Sequence, residues 1–203
     1  LSSAASDGYK RPLLNRAIRG TDPPGSTYKP FMALAALETG KRTTGSTIID
    51  GGSWTFVGHT FRSGHALGAV DLHRSIVKSS NVYYYQLAND MGVNAIHDFM
   101  KPLGFGQVTG VDIPGETRGV LPSTDWKRAT YKRPEQQKWY GGETISLGIG
   151  QGYNNFTMLQ LANATATLAA GGVHHVPHLV KARQDPLSLQ FKDLPLAPPE
   201  NLG

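Results

Sequence analysis

The chain has 203 residues, of which 39% are hydrophobic and 17% are charged. This composition excludes a disordered charged polymer and a membrane bundle, and no apolar run approaches the roughly 18 residues of a membrane-spanning helix. Cysteine is absent, which excludes disulfides, thiol catalysis and cysteine-ligated zinc. A net charge of +5 is compatible with an anionic partner. Because the chain starts without Met and shows no signal peptide, we expect it to be part of a longer protein.

The N-terminal third of the chain is predicted to contain one buried helix between irregular segments. Residues 1–25 are punctuated by Gly and Pro and predict turns. An apolar run over residues 26–40 predicts the helix, with Gly40 as its C-terminal stop. Residues 41–70 are rich in Gly, Thr and Ser, so we expect a meandering excursion with strand-like fragments such as 54–57.

The remainder predicts four further helices, over residues 72–78, 81–91, 93–103 and 157–170. Asp71 is a suitable N-cap for the first of them. Gly and Pro recur every few residues in 105–155, which is therefore predicted to be mostly loop. Residues 173–180 are the best candidate for a strand, and the proline-rich tail over 186–203 shows no periodicity.

The most informative segment is residues 23–29, which read PPGSTYK. In a Ser-x-x-Lys pair at the start of a helix, positions i and i+3 share a face, so the amine of Lys29 is expected near the hydroxyl of Ser26. A serine hydroxyl is a poor nucleophile until a nearby base takes its proton, and a lysine beside cationic or apolar groups acts as that base when its pKa is lowered. The unpaired N–H groups of the helix start favour developing negative charge. The segment therefore predicts a serine nucleophile.

A second Ser-x-x-Lys match, from Ser75 to Lys78, lies within a predicted helix. The serine amide is committed there, so no oxyanion site is available and we expect this match to be structural. The next segment, Ser79-Ser80-Asn81, lies between two predicted helices and can present a hydroxyl and an amide to a cleft. The same residue types also suit a plain helix boundary, where they are favoured caps. Their position after the first Ser-x-x-Lys motif favours the catalytic interpretation.

Three motifs in this order resemble those of class B penicillin-binding proteins: residues 24–30 (PGSTYKP), 79–81 (SSN) and 148–153 (GIGQGY). Further stretches resemble the elongation-type members of that class, the penicillin-binding protein 2 group. They are residues 14–17, 84–88, 91–92, 104–106, 109–113 and 119–123. The resemblance runs from about residue 7 to residue 185, and the three ordered motifs with these flanks make it specific.

The resemblance implies an α/β (α+β) fold of the penicillin-binding and serine β-lactamase type, in which helices flank a central antiparallel sheet beside a mostly helical subdomain. We expect residues 1–203 to form a partial transpeptidase domain, helix-rich and with part of the sheet missing. The N-terminal strands of that domain and its C-terminal part with the third motif are expected to lie outside this sequence.

The resemblance also implies acyl transfer on D-Ala-D-Ala stem peptides of peptidoglycan, for cell-wall cross-linking in cell elongation, with β-lactams as substrate mimics. Ser26 would attack the carbonyl, and its backbone N–H would form half of the oxyanion hole. Lys29 would be the general base, Ser79 would relay protons and Asn81 would position the substrate. The substrate-binding residues implied by the GIGQGY stretch are Gly150, Gln151 and Gly152.

One motif of the family is missing from the chain. No Lys-Thr-Gly or Lys-Ser-Gly occurs in the 203 residues, and the nearest string, KRTTG at residues 41–45, has the wrong spacing and precedes the second motif. In the family the missing motif lies on a strand that binds the substrate carboxylate and supplies the other oxyanion donor. We therefore expect the 203-residue chain by itself to be inactive or nearly so, although its parent is an enzyme.

The resemblance implies no cofactor. The expected partners are peptidoglycan stem peptides and β-lactams and, for the parent, a SEDS-type glycosyltransferase and proteins of the elongation complex, with no nucleic acid. The parent is expected at the periplasmic face of the bacterial inner membrane, anchored by an N-terminal helix that is not part of this sequence.

Three alternatives stay open on the sequence. A D,D-carboxypeptidase or a serine β-lactamase shares the same motifs, but the Pro-Pro-Gly before Ser26 and the GIGQG string favour a class B transpeptidase. A non-catalytic β-lactam sensor would be acylated without turnover. A nucleic-acid binder would use the basic stretch over 127–138, which shows no nucleic-acid signature and is better interpreted as a solvated loop.

Five oxygen- or imidazole-bearing residues precede the second motif: Asp50, His59, His65, Asp71 and His73. Side chains of these types bind zinc in other proteins. Because no tight ligand spacing connects them, we interpret them as polar loop residues and predict no metal site.

Overall fold

The structure is a computed structural model that describes residues 14–203. The helices in this range are α1 (Arg16–Arg19), α2 (Lys29–Glu38), α3 (Leu72–Val77), α4 (Asn81–Met91), α5 (Val93–Met100), α6 (Thr124–Thr130), α7 (Pro134–Gln137), α8 (Gly141–Leu147) and α9 (Met158–Ala169). A 3₁₀ turn at Gly25–Tyr28 leads directly into α2. Each of the described helices is too short or too polar to span a lipid bilayer.

The strands are short and pair two by two. They are β1 (Thr21–Asp22), β2 (Ile48–Asp50), β3 (Ser53–Phe56), β4 (His59–Arg62), β5 (Gly68–Val70), β6 (Phe156–Thr157), β7 (Val173–His174), β8 (Ala182–Gln184), β9 (Phe191–Asp193) and β10 (Glu200–Asn201). The pairs are all antiparallel within the described range: β1 with β6, β2 with β5, β3 with β4, β7 with β10 and β8 with β9. This mixture of helices and antiparallel strands confirms the predicted α/β (α+β) class.

The chain divides into two compact units. The terminal unit comprises residues 14–22, Leu103–Gly119 and Phe156–Gly203, and the central unit comprises Pro23–Pro102 and Val120–Asn155. All four residues predicted to be catalytic lie in the central unit, as does the GIGQGY stretch. The central unit is therefore the part of the fold that builds the candidate site.

The terminal unit is organised around the N-terminus of α9. The Thr157 hydroxyl accepts a hydrogen bond from the Gln160 N–H, and the Gln160 side chain accepts one from the Thr157 N–H, which forms a capping box. The buried Gln160 amide also donates to the carbonyls of Gln107 and Arg118. Thr157 pairs in turn with Thr21 in the ladder of β1 and β6. These bonds fix the helix start, the strand pair and the preceding loop together.

Helix α4 forms the core of the central unit. The side chains of Tyr83, Tyr84 and Tyr85 are all buried, because α2, α3, α5, α8 and the hairpin of β3 and β4 pack around this helix. Ser80 caps its first turn by accepting a hydrogen bond from the Tyr83 N–H, and Gly92 ends it. A helix at the surface needs apolar residues on one face only. Because α4 is buried on several sides, it carries large aromatic residues at three consecutive positions.

Two glycines after α8 let backbone segments approach very closely. A Cβ built on Gly148 would lie 2.2 Å from the carbonyl oxygen of Tyr84 on α4. Gly150 has a φ of +69°, and a Cβ there would lie 2.3 Å from the carbonyl oxygen of Gly25. The Gly25 N–H donates a 3.0 Å hydrogen bond to the Gly150 carbonyl. A side chain at either position would push this segment away from α4 or from the turn that carries Ser26.

Most of the helices predicted from the sequence are confirmed. The helix predicted over 81–91 has these bounds in the structure, and Asp71 caps α3 as expected. The helix predicted over 26–40 begins as the 3₁₀ turn, and its α-helical part ends at Glu38. The other two predicted helices are α5, which is shorter than expected, and α9. Residues 1–13, part of the segment predicted to be irregular, lie outside the described residues.

One prediction of segment type is confirmed but incomplete, and one is wrong. Most of residues 105–155 lie outside helices and strands, as predicted, but the segment also contains the short helices α6, α7 and α8. Short helices depend on tertiary contacts, such as the ion pair between Lys127 and Glu143, which a local pattern does not reveal. The strand predicted over 173–180 is wrong beyond the two residues of β7, and Pro177 lacks the N–H that a ladder through the whole segment would require.

The close approach of Gly148 to α4 makes a testable prediction. We expect Gly148→Ala to lower the free energy of unfolding by about 2–3 kcal/mol, because the added Cβ overlaps backbone and the core must shift. Urea unfolding followed by circular dichroism measures this change. The matched control is Gly142→Ala inside α8, where the added Cβ has no heavy atom within 4 Å and alanine favours the helix. Equal unfolding free energies for the two variants would contradict the packing.

Candidate active site

Ser26 is exposed in the first turn of the 3₁₀ segment that precedes α2. Hydrogen bonds hold this turn on both sides of the serine. The Gly25 N–H donates to the Gly150 carbonyl at 3.0 Å, and the Thr27 hydroxyl donates to the Pro24 carbonyl at 2.7 Å. The Ser26 hydroxyl is therefore accessible from solvent while the backbone fixes its position.

The side chain of Lys29 is buried beside this turn. Lys29 follows Ser26 by three positions, and residues i and i+3 of a 3₁₀ turn lie on the same side. The Lys29 Nζ donates hydrogen bonds to the Ser79 carbonyl at 2.7 Å, to the Ser79 hydroxyl at 2.9 Å and to the Asn81 Oδ1 at 2.7 Å. The ring centre of Tyr84 lies 5.5 Å from the Nζ. Three acceptors match the three donors of a lysine ammonium.

The Ser79 hydroxyl connects the lysine to the serine of the first motif. Its Oγ accepts a hydrogen bond from Lys29 and donates one of 3.0 Å to the Ser26 Oγ. The two residues of the Ser-x-x-Lys motif are thus linked through Ser79. When Lys29 is a neutral amine, the hydroxyl hydrogens can reverse, so that Ser26 donates to Ser79 and Ser79 donates to Lys29. The arrangement provides a path for a proton from Ser26 to Lys29.

A sharp turn of the backbone places Ser79 and Asn81 beside Lys29. Helix α3 ends at Val77, Ser79 adopts a left-handed conformation with a φ of +52°, and α4 begins at Asn81. A residue other than glycine is uncommon in this conformation and stores strain, which tends to occur at functional positions. The two side chains that bind Lys29 are therefore positioned by the junction between two helices.

The second Ser-x-x-Lys match is structural, as expected. The buried Ser75 hydroxyl donates to the Leu72 carbonyl at 2.6 Å and shares a 3.0 Å hydrogen bond with the Tyr84 hydroxyl. The side chain of Lys78 is exposed. Ser75 thus supports the packing of α3 against α4 and is not accessible to a substrate.

Burial changes the acid–base chemistry of Lys29. Desolvation of the ammonium lowers the pKa of Lys29 from 10.5 to about 8, and the negative charge of Asp50 acts in the opposite direction. At pH 7 the ammonium still predominates, but about a tenth of the lysine is neutral. This is roughly three hundred times the neutral fraction of a lysine with an ordinary pKa. The buried amine is therefore a much more available base than a solvated one.

Gly150, the third residue of the GIGQGY stretch, is the part of this stretch that contacts the site. Gly150 lies against the turn that carries Ser26. Gln151 and Gly152 are exposed beside the end of α8, where the Gln151 N–H donates to the Ser146 carbonyl at 3.0 Å. Of the three residues predicted to bind substrate, the structure places Gly150 against the turn that carries Ser26, and a substrate-binding role for each of the three stays a prediction.

A buried ion pair, which the sequence analysis did not identify, holds the start of α8. Lys127, expected in a solvated loop, is buried on α6, and its Nζ donates to both carboxylate oxygens of Glu143 at 2.5 and 2.6 Å. Glu143 also accepts from the Tyr140 N–H and the Tyr153 hydroxyl. Burial acts to raise the pKa of Glu143, but the hydrogen bonds from Lys127 and Tyr140 outweigh it and the pKa is lowered. The solvated-loop interpretation is therefore wrong for Lys127, which helps to hold the helix that leads into the GIGQGY stretch.

A fully buried acid lies behind the Ser79–Asn81 junction. Asp50 is fully buried at the end of β2, and its Oδ2 accepts a 2.6 Å hydrogen bond from the Ser80 hydroxyl. Its interpretation as a polar loop residue is therefore wrong. The available sequence signal was an acidic residue directly after two apolar β-branched residues. In the part of the chain that the structure describes, no three His, Asp or Glu side chains are grouped as metal ligands would be.

Comparison with known proteins identifies close relatives of this arrangement. A family model described as the penicillin binding protein transpeptidase domain matches residues 2–199. The peptidoglycan D,D-transpeptidase MrdA of Haemophilus influenzae is 41% identical over 210 residues, which cover 97% of this chain. The aligned region is 31% of that protein, so the chain spans about a third of the length of this curated relative.

Solved structures show the same similarity in three dimensions. Pseudomonas aeruginosa PBP2, crystallised in complex with WCK 5153, matches 97% of this chain and 46% of its own, with a TM-score of 0.80 at 41% identity. PBP2 in the complex with MreC from Helicobacter pylori matches 99% of this chain and 36% of its own, with a TM-score of 0.81 at 28% identity. These matches confirm the predicted penicillin-binding transpeptidase fold.

The buried environment of Lys29 predicts a directly measurable titration. We expect the Cε resonance of Lys29 to titrate with a midpoint of about 8, because burial disfavours the ammonium. Carbon-detected NMR of protein labelled in lysine gives the midpoint, and the resonance that is lost in Lys29→Met identifies the residue. A Lys29 resonance that keeps its ammonium shift up to about pH 10 would contradict this expectation.

Proposed function

The chain belongs to the penicillin-binding protein transpeptidase domain family, and we propose that it carries the nucleophile, the proton relay and the base of a peptidoglycan D,D-transpeptidase. The observation that carries this proposal is the hydrogen-bonded path from Ser26 through Ser79 to Lys29. Acyl transfer by serine requires such a path from an accessible hydroxyl to a base. The name of the MrdA relative, 41% identical over 97% of the chain, supports the substrate class.

In the first proposed step, Ser26 attacks the carbonyl carbon between the two D-alanines of a stem peptide. The bond from Ser26 Oγ to carbon forms while the hydroxyl proton passes to Ser79 and the Ser79 proton passes to neutral Lys29. The Ser26 N–H is one donor to the negative charge on the carbonyl oxygen. The carbon–nitrogen bond then breaks, and the proton returns from Lys29 through Ser79 to the leaving amine of the terminal D-alanine. Asn81 holds the Lys29 amine through its Oδ1 and positions the peptide.

The second proposed step transfers the acyl group to the amine of another stem peptide. The amine attacks the ester carbon and loses a proton, which passes through Ser79 to neutral Lys29. The bond to Ser26 Oγ then breaks, and the serine takes this proton from Lys29 through Ser79, so the site is restored. A β-lactam ring opens by the first step alone, because its carbonyl–nitrogen bond replaces the peptide bond, and the ester then persists on Ser26.

The proposed activity belongs to the whole protein. The substrate carboxylate and the second oxyanion contact are proposed to need a Lys-Thr-Gly strand, a motif that the 203 residues do not contain. We therefore expect the isolated chain to react with β-lactams far more slowly than the protein expressed from its full natural reading frame. Gln151 and Gly152 are proposed to border the substrate-binding cleft.

The proposed setting is cell-wall synthesis during cell elongation. The similarity to PBP2 from Helicobacter pylori, which was solved in a complex with MreC, supports binding to proteins of the elongation complex. We further propose a SEDS-type glycosyltransferase as partner, because cross-linking acts on newly polymerised strands. For the same reason, the proposed location is the periplasmic face of the inner membrane, where those strands are assembled.

Labelling with a fluorescent penicillin tests the nucleophile. The protein expressed from its full natural reading frame is expected to form a stable fluorescent adduct, and Ser26→Ala is expected to form none, because the ester cannot form without the hydroxyl. Lys29→Ala is expected to lower the labelling rate at least a hundredfold, because a general base typically contributes a factor of about 10²–10⁴ to the rate. Lys78→Ala, the exposed lysine of the second Ser-x-x-Lys match, is the matched control and should label like wild type.

Other outcomes of the same experiment distinguish the alternatives. Adducts that form and hydrolyse within seconds would indicate a β-lactamase or carboxypeptidase. Stable adducts without cross-linking of pentapeptide substrates would indicate a sensor. Absence of any adduct on the folded protein would overturn the catalytic proposal, and labelling of Ser26→Ala would show that another residue is the nucleophile.

Removal of the Ser79 hydroxyl tests the relay. We expect Ser79→Gly to slow acylation by about 10²–10⁴-fold, because the proton path between Ser26 and Lys29 is interrupted. Glycine accepts the positive φ of this residue, so the variant removes the hydroxyl without adding strain. Stopped-flow rates with a chromogenic β-lactam and the thermal midpoint are measured together. A wild-type rate in Ser79→Gly would exclude the relay.

A further inference from the structure

Asp50 stands outside every motif of the sequence, yet its surroundings connect it to the proposed catalytic groups. We propose that Asp50 is a positioning residue for acylation, an inference that rests on the proposed function. Through Ser80 it orients the Ser79–Asn81 segment, and its negative charge acts on the Lys29 amine. Its carboxylate touches neither the substrate nor Ser26. It acts through the two residues on either side of Ser80.

The carboxylate of Asp50 is held rigidly. Its backbone is part of the ladder of β2 and β5, and its carbonyl accepts a 2.9 Å hydrogen bond from the Leu67 N–H. One carboxylate oxygen accepts from the Gly52 N–H at 2.8 Å and the other from the Ser80 hydroxyl at 2.6 Å. Because both oxygens are used and the residue is fully buried, the charge has one fixed position.

Ser80 transmits this position to the site. Its hydroxyl donates to Asp50 and accepts from the Tyr83 N–H, so the same oxygen anchors the segment and caps α4. Its N–H donates to the Ser75 carbonyl at 3.0 Å. On either side of it, Ser79 and Asn81 supply the acceptors of the Lys29 amine. A strained Ser79 with a positive φ requires such flanking constraints to stay in place.

The charge of Asp50 also acts on Lys29 directly. A buried carboxylate is stable when a positive charge compensates it, and the buried ammonium of Lys29 is the charge on which Asp50 acts. This attraction raises the pKa of Lys29 and so limits how far burial lowers it. Loss of the carboxylate charge would therefore lower the pKa of Lys29 further.

The other titratable groups around Lys29 do not substitute for Asp50. The neighbouring tyrosines Tyr28, Tyr83 and Tyr84 stay neutral around pH 8, because burial raises the pKa of each. Arg74, Lys78 and Asp98, on or beside the helices packed against α2 and α4, are exposed to solvent. Solvent screens such charges strongly, whereas the Asp50 charge is buried. Glu143 on α8 is partly buried, but its charge is paired with that of Lys127.

The test is the pH dependence of acylation by nitrocefin in the protein expressed from its full reading frame. The wild-type rate is expected to rise with pH and to reach half its maximum near pH 8, as Lys29 loses its proton. Asp50→Asn keeps the size of the side chain and removes its charge, although its NH₂ group replaces one of the two oxygens that accept hydrogen bonds from Gly52 and Ser80. Its midpoint is expected to fall by about half a unit or more. Asp50→Glu retains the charge and is expected to restore the wild-type midpoint, even if its maximal rate is lower.

Ser80→Ala separates orientation from charge. It removes the link to the site but keeps the Asp50 carboxylate, so we expect the maximal rate to fall at least tenfold with a midpoint close to wild type. Its matched control is Ser123→Ala, because the buried Ser123 hydroxyl caps α6 by accepting from the Trp126 N–H and has no contact with Asp50. That control should lose a similar amount of thermal stability and keep the wild-type rate.

The outcomes are distinct. A folded Asp50→Asn protein with the wild-type midpoint would overturn the charge effect, and a Ser80→Ala protein with the wild-type rate would overturn the orienting effect. If Asp50→Asn does not fold, Ser80→Ala and Asp50→Glu still decide the proposal. Failure of the wild-type protein to react with nitrocefin would instead overturn the proposed function.

Discussion

The constraint on which the candidate site depends is the burial of one lysine amine. Removing an ammonium from water is costly unless it is hydrogen-bonded and balanced by charge. The chain meets this requirement with three oxygen acceptors from Ser79 and Asn81 and with the charge of Asp50. The incomplete balance leaves the pKa of Lys29 near 8, where the amine can both accept and return a proton. The same environment that stabilises the buried charge thus keeps the pKa of Lys29 in a range suited to the proposed general base.

The surrounding fold can be understood as the support for these few atoms. The acceptors lie at a junction between two helices, and that junction holds a residue in a left-handed conformation. Helix α4 begins there and is the most enclosed helix of the central unit, so the junction is attached to a rigid core. The ion pair of Lys127 and Glu143 holds the start of α8. The GIGQGY stretch follows this helix directly, and its Gly150 contacts the turn that carries Ser26. Packed helices therefore support the Ser79–Asn81 junction and the turn that carries Ser26, while the Ser26 hydroxyl stays exposed.

The sequence predicts those parts of the site whose residues lie close together along the chain and form a recognisable motif. Ser26 and Lys29 were identifiable from their spacing at a helix start, and Ser79 and Asn81 from a polar string between two helical patterns. Long-range contacts were not identifiable in this way. Asp50 was interpreted as a loop residue because its partner, Ser80, lies in another element, and Lys127 was assigned to solvent because its partner, Glu143, follows a segment without a clear pattern. Helices α6 to α8 were missed for the same reason, since local propensity does not stabilise helices of their length.

The backbone contact between Gly25 and Gly150 has a consequence for how the protein is made. Ser26 is synthesised well before Gly150, whose carbonyl accepts the hydrogen bond from the Gly25 N–H. The turn that carries Ser26 therefore acquires its final geometry only after the chain through Gly150 has been produced and folded back, a non-local closure of the kind that slows folding. A nascent or truncated polypeptide would carry the serine without its completed surroundings. The topology thus couples the final geometry of the turn around Ser26 to the completion of the central unit.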